Sequence, residues 1–446
     1  MNTPIADFVT KYANSDATRL HMPGHKGKTV LGVESYDITE ITGADVLYSA
    51  DGIIAESEKN CTSLFETAHS FYSAEGSSLA IKAMLYLAIT ASGDEKPLVL
   101  AARNAHKAFL YAAAWLDFDV QWIMPSEDTH LCSCLLSKDE VENAILTANK
   151  KPSAVYLTSP DYLGTLSDIE GVASVCKAHK IPLLVDNAHG AYLRFLPEDQ
   201  HPITLGATMC CDSAHKTLPV LTGGAYLHIA QNADPYFVEN ARNALASFAS
   251  TSPSYLILSS LDLCNAYLHE KGKEDFADCA KKVADLKTYL LSLGFTLFGD
   301  EPLKLTLYTP DYGYFGYELA ECLSKHNIES EFADSEYLVL MFSPSNTPLD
   351  FERVEQVFDK IVKKERKILP NSPAPILSER RMSVRKAMLA KSETIPTEQA
   401  AGRIAASPTV SCPPAIPIVV SGEVITQEVI KRLLYYGVTQ VSVVKE

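Results

Sequence analysis

The 446-residue chain contains no apolar run near the ~18–20 residues that a membrane-spanning helix requires. Its opening stretch, MNTPIADFVTKYANSD, lacks the apolar core of a secretory signal, which points to the cytoplasm. Positive charge is scarce: 39 Lys and Arg stand against 55 Asp and Glu, a formal net charge of −16. A nucleic-acid binder normally carries a basic face, so DNA, RNA and anionic membrane surfaces are not the expected partners. No G-x-G triplet occurs, which argues against a dinucleotide fingerprint, and no repeat or low-complexity tract is visible. GHKGKT at residues 24–29 suggests a phosphate loop, but that loop needs a Gly where Met22 stands.

Hydrophobic residues make up 47% and charged residues 21%, enough to bury a large core and too little charge for disorder. The length allows about two to four domains. The ten cysteines are scattered, and a chain this long needs no disulfide staples, so free thiols in a reducing compartment are expected. His130-Leu131-Cys132-Ser133-Cys134 lacks a second ligand pair at zinc spacing, and Cys210-Cys211 lies in an apolar run. Both read as buried thiols, and no metal is expected.

Residues 1–60, with many Gly, Asp and Ser, read as an irregular N-terminal arm. From about residue 65 to 230, β-like runs at 97–102, 120–124, 154–158, 182–186, 207–211 and 224–229 alternate with helical stretches at 77–92, 104–116, 138–149 and 168–180. That alternation predicts an α/β fold with a mostly parallel sheet covered on both faces. Helical patterns fill 233–293. A smaller αβ unit follows, with strands at 303–308 and 338–343 and helices at 316–326 and 350–365. Residues 366–411 read as a linker with a short helix, and the chain closes with a strand-like run at 416–420, a helix at 425–435 and a strand at 439–444. The expected division is an arm (1–60), a large domain (61–245), linking helices with a small α/β domain (246–370) and a C-terminal domain (371–446).

A parallel α/β sheet binds ligands beyond the C-terminal ends of its strands. Glu75-Gly76-Ser77-Ser78 precedes a helix and combines close backbone approach, two hydroxyls and free N–H groups, the makings of a phosphate cradle or of an ordinary N-cap. Asp186 ends an apolar strand, where a carboxylate wants a cationic partner. Ser213-Ala214-His215-Lys216 follows the next run, and Arg103-Asn104-Ala105-His106-Lys107 follows another. Together these groups fit pyridoxal 5′-phosphate. Lys216 would form an imine with its aldehyde, Asp186 would keep its ring nitrogen protonated and His106 would stack on the ring. Gly76, Ser77, Ser78, Ser213 and His215 would hold the phosphate. A lysine in that role must be neutral, which burial and cationic neighbours favour.

The chain resembles the Orn/Lys/Arg decarboxylases of the aspartate-aminotransferase fold (pyridoxal-phosphate fold type I), in the short form without an N-terminal wing. The matching stretches are Leu20–Lys28, Asp37–Asp45, Arg103–Lys107, Thr158–Gly164, Val185–Tyr192, Ser213–Leu218 and Cys412–Glu423, in family order over nearly the whole chain. The resemblance implies a large domain with a seven-stranded-type sheet and a smaller α+β C-terminal part. It implies Lys216 as the imine lysine, Asp186 as the pyridinium partner, His106 as the stacking residue and a place for His189 beside the cofactor. Thr158 and Ser159 would line the rim near the cofactor's 3′-hydroxyl. The HMPGHKGK segment would pack at a homodimer interface and the active-site entrance. Family members usually carry Asn at position 75, Glu at 187 and Tyr-Pro-Pro-Gly at 412–415, so Glu75, Asn187 and Ala415 are departures.

The expected reaction is decarboxylation of arginine, lysine or ornithine to a polyamine-type amine. Glu423 is a candidate for meeting the substrate's distal cation. The alternatives are another enzyme on this scaffold, an aminotransferase or a lyase, and a family-like protein that has lost activity.

Overall fold

The computed structural model describes residues 1–125, 130–369, 376–408 and 415–445; Cys412, Pro413 and Pro414 of the last family-like stretch lie outside them. The chain opens with helices α1 (Pro4–Ala13) and α2 (Ile53–Phe65). There follow β1 (His69–Ser73), α3 (Ser77–Ser92), β2 (Leu98–Ala102), α4 (Lys107–Leu116), β3 (Asp119–Ile123), α5 (Lys138–Thr147) and β4 (Ala154–Thr158). Next come α6 (Ile169–Ala178), β5 (Leu183–Asp186), β6 (Met209–Asp212), the one-turn α7 (Ala214–Thr217) and β7 (Ala225–Ile229). The seven strands form one sheet of order β1-β7-β6-β5-β4-β2-β3. Pairs β2–β3 and β5–β6 are parallel, and β7 runs antiparallel to both of its neighbours. This is the expected α/β, fold-type-I architecture.

The chain divides into two compact units. The first comprises residues 1–95, 153–156 and 169–274. Its central helix, α3, buries residues on every side, including Leu79, Met84, Leu85 and Leu87. Gly76, in a left-handed conformation (φ +71°), opens that helix and Gly93 (φ +63°) closes it. The predicted irregular arm is only partly irregular, because α1 buries Ile5, Ala6 and Val9. Its first N–H groups, those of Ile5 and Ala6, donate to Asp262 in the helix Tyr255–Tyr267, a cap no local pattern announces. Strand β1 was not predicted either, since HSFYS carries three polar residues in five.

The second unit comprises residues 96–152, 157–168 and 275–446. It holds an antiparallel sheet of order β10-β11-β9-β8, built from β8 (Thr296–Phe298), β9 (Lys304–Tyr308), β10 (Phe332–Ala333) and β11 (Tyr337–Met341). A hairpin-like pair, β12 (Ser392–Pro396) with β13 (Gln440–Val444), completes it, and β12 falls where a linker was expected. Residues 416–420 are buried as predicted but form no strand. The carbonyls of Pro417 and Ile418 instead accept hydrogen bonds from the buried guanidinium of Arg103.

Candidate active site

The first unit assembles most of the expected site from four chain segments. At the start of α3, Gly76 donates its N–H to Gly223 O (2.7 Å), and Ser73 Oγ donates to Gly76 O (2.9 Å). The helix has no side-chain cap, so its first amides are left for a ligand. Glu75 Oε1 accepts the Ser250 N–H (2.6 Å).

The segment 213–217 meets the same glycines. His215 N donates to Gly224 O (3.2 Å), and His215 Nδ1 lies 3.1 Å from that oxygen. Burial lowers the His215 pKa, and Lys216 adds to the effect against the Gly224 carbonyl. Gly76 and His215 therefore gather around Gly223–Gly224, with Ser213 Oγ 3.5 Å from His215 Nδ1. Lys216 Nζ lies 3.0 Å from His189 Nε2, which fixes the lysine beside the loop that follows Asp186.

Asp186 ends β5 and is 2% exposed. Its Oδ2 accepts from the Tyr156 hydroxyl (3.1 Å), and its Oδ1 accepts from Ala188 N (3.3 Å) and, more weakly, the Cys211 thiol (3.6 Å). All three donors are neutral, so a buried carboxylate stands ready for a cation. Tyr156 was not singled out in the sequence, because an aromatic inside an apolar strand reads as core. The only signal was its hydroxyl, which must find a partner when buried.

The remaining candidates belong to the second unit. His106 caps α4 by accepting the Ala108 N–H at Nδ1 (3.2 Å). Thr158 Oγ1 is buried without a hydrogen-bond partner, and Ser159 Oγ accepts the Ser167 N–H. Glu423 is buried, accepts the Val420 N–H (2.9 Å) and is pushed up in pKa by burial, with Arg103 and Arg380 opposing. It lines a cavity with Trp122, Lys150 and Arg380 beside β3.

The residues fit pyridoxal phosphate. The helix start has no side-chain cap and opens at a glycine, and Asp186 is a buried carboxylate with only neutral hydrogen-bond donors, three residues before the His189 that meets Lys216.

Comparison with known proteins agrees. The family model described as "Orn/Lys/Arg decarboxylase, major domain" matches residues 3–297, and that described as "Orn/Lys/Arg decarboxylase, C-terminal domain" matches residues 364–442. The chain is 27% identical to an arginine decarboxylase of Bacillus subtilis (strain 168), covering 96% of this chain and 92% of that protein. It is 28% identical to the uncharacterized protein YaaO of the same organism, covering 97% and 94%. Among solved structures it resembles the Francisella novicida lysine decarboxylase LdcF, with a TM-score of 0.82, 18% identity and coverage of 99% of this chain and 81% of that one.

Proposed function

Because the chain belongs to the Orn/Lys/Arg decarboxylase family and is a pyridoxal-phosphate-dependent decarboxylase, we propose that it converts a basic amino acid to the corresponding amine and CO2. Arginine is the leading substrate and lysine and ornithine are the competitors. The observation that carries the reading is Lys216 held at 3.0 Å from His189, in the unit that also presents a buried Asp186 and the Gly76 cradle. Full-length relatives named arginine decarboxylases favour arginine.

Gly76, Ser77, Ser78, Ser213 and His215 would bind the phosphate, and Asp186 would hold the proton on the ring nitrogen. Lys216 would anchor the cofactor, and His106, Thr158 and Ser159 would complete the site. When bound, pyridoxal phosphate supplies an electron sink for the pair left at Cα as CO2 departs. Lys216 Nζ and His189 Nε2, in hydrogen-bond contact, can pass a proton toward Cα. Glu423 would meet the substrate's distal cation.

The arm exposes Leu20, Val30 and Leu31 at 82–89%. Such apolar exposure supports a homodimer, which sedimentation of the holoenzyme tests. The nine described cysteines are free, which supports a reducing, cytoplasmic setting. Among the described residues no helix is long and apolar enough to cross a membrane. An amine product would place the reaction in polyamine formation. On this reading the chain divides into an arm (1–60), a cofactor-binding large domain (61–245), linking helices with a small α/β domain (246–370) and a C-terminal domain (371–446).

The test is to incubate the cofactor-loaded protein separately with arginine, lysine and ornithine. The expected result is CO2 with agmatine from arginine, faster than with the other two. A keto acid product, or no CO2 from any of the three, would refute the reading.

A further inference from the structure

Beside Asp186 the first unit buries a second ionic centre. Asp212, at the end of β6, has no accessible surface. Its Oδ2 accepts from His201 Nε2 (3.0 Å) and His228 Nε2 (3.2 Å), and its Oδ1 accepts from Asn187 Nδ2 (2.7 Å). Burial works to raise the Asp212 pKa, but the two imidazoles outweigh it and hold the carboxyl well below its usual range. Burial pushes the His228 pKa down, against the pull of Asp212. The ring's Nδ1 lies 2.7 Å from Ser70 Oγ, which lies 2.8 Å from Thr67 Oγ1.

His201, Cys210 and Asp212 also have the spacing of a metal site. The Ile203 N–H points at His201 Nδ1 (3.4 Å), and His201 Nε2 faces Asp212. Burial raises the Cys210 thiol well above its usual range.

Its position gives it a use. Asn187 directly follows Asp186, and Asp212 directly precedes the segment Ser213–Lys216. Beyond the backbone bond from Asn187 N to Cys211 O (3.0 Å), the buried side-chain hydrogen bond from Asn187 to Asp212 therefore joins the strand end that carries the acid to the strand end that leads to the lysine. We propose that Asn187 and Asp212 are a positioning pair that sets the spacing of Asp186 and Lys216 for pyridoxal phosphate; this rests on the cofactor reading above. A Glu at 187 would set a second carboxylate against Asp212, so the amide is what this chain's Asp212 requires.

The test uses the full chain stripped of cofactor and titrated with pyridoxal phosphate, reading Kd from the visible band of the lysine-bound cofactor and Tm of the apoprotein. Asn187→Asp places two carboxylates in contact. It should raise Kd at least tenfold relative to wild type, with the excess shrinking at pH 5.5 as the pair takes up a proton. The swap N187D/D212N restores a donor facing an acceptor, and the two imidazoles still find an amide oxygen. Its Kd should return to within about threefold of wild type. Should neither fold, Asn187→Ala removes only the tie and should raise Kd threefold or more. A lowered Tm with unchanged Kd in N187D or N187A, or a swap no better than N187D, overturns the positioning role alone. Absence of the band in the wild type would overturn the cofactor reading with it.

Discussion

Ala415 shows how a single residue records a departure and its cost. Its φ is +59°, left-handed backbone that side chains disfavour, and its carbonyl accepts the Lys107 N–H (3.0 Å) at the first residue of α4. That contact fixes the turn beside His106, so the conformation must be kept whatever residue stands there. The family-like sequence has Gly at this place, which adopts the conformation without a Cβ clash. The strain on Ala is roughly 1–2 kcal/mol, and the extra freedom of an unfolded Gly returns about 0.5–1 kcal/mol of it. Ala415→Gly should therefore stabilise the protein by a few tenths to about 1 kcal/mol, seen as a higher denaturation midpoint with an unchanged slope. A lower midpoint would show that the turn relaxes around alanine. Glu75, a second departure, gives its carboxylate to the Ser250 N–H.

At the scale of elements, α3 ties local sequence to cofactor chemistry. Gly76 sits at φ +71° and ψ 176°, a region nearly reserved for glycine. A Cβ there would meet only Ser78 N, at 3.9 Å, so space is not the obstacle; the backbone is. Gly76→Ala should shift the loop and spoil the amides aimed at the phosphate, a strain of about 1–3 kcal/mol. The Kd for pyridoxal phosphate should rise about tenfold while that for pyridoxal, which lacks the phosphate, changes less than twofold. Equal losses for both ligands would mean that the helix start does not hold the phosphate. The same element explains what was readable in advance. The bounds of α3 and β4 follow from local apolar pattern and agree with the structure residue for residue. Helix α1 was missed because its cap, Asp262, lies 256 positions from Ala6. Strand β1 is hard to read because its polar residues mask the apolar pattern, and the partner that lets Ser70 be buried, His228, lies far along the chain. For the same reason Lys216 and Asp186 were legible as candidates from motif and strand end, whereas Tyr156, His201 and His228 were not: their roles exist only once the strands are paired.

Across the whole molecule, stability should carry an acid-side signature from buried carboxyls in both units. Asp262 in the first unit is pushed up to about 6 by burial, although Ser57, Ala6 and Ile5 donate to it. Asp161 in the second unit is pushed up to about 6 by burial, against donors at Ser133 and Thr165 and the charge of Lys304. Both folded values lie above those of an unfolded chain, so between about pH 4 and 6 the folded protein holds more protons than the unfolded one. Stability from these groups is greatest below that window and falls as pH rises through it. Asp212 has the opposite sign: its depressed value contributes stability above the ordinary carboxylate range, and this is lost only at lower pH. Glu423 in the second unit is raised by burial too, so the window from pH 5 to 7 reports the raised groups together and a variant of one group separates it from the rest. Asp262→Asn keeps an oxygen for the α1 amides and a nitrogen that Ser57 can accept, while removing the titration. The wild-type apoprotein should gain on this variant as pH falls from 7 to 5, by roughly 1 kcal/mol. The comparison is of thermal midpoints at the two pH values. A difference between wild type and variant that stays constant from pH 7 to 5 would mean that Asp262 is already ionised throughout, and that the α1 amides, not burial, govern it.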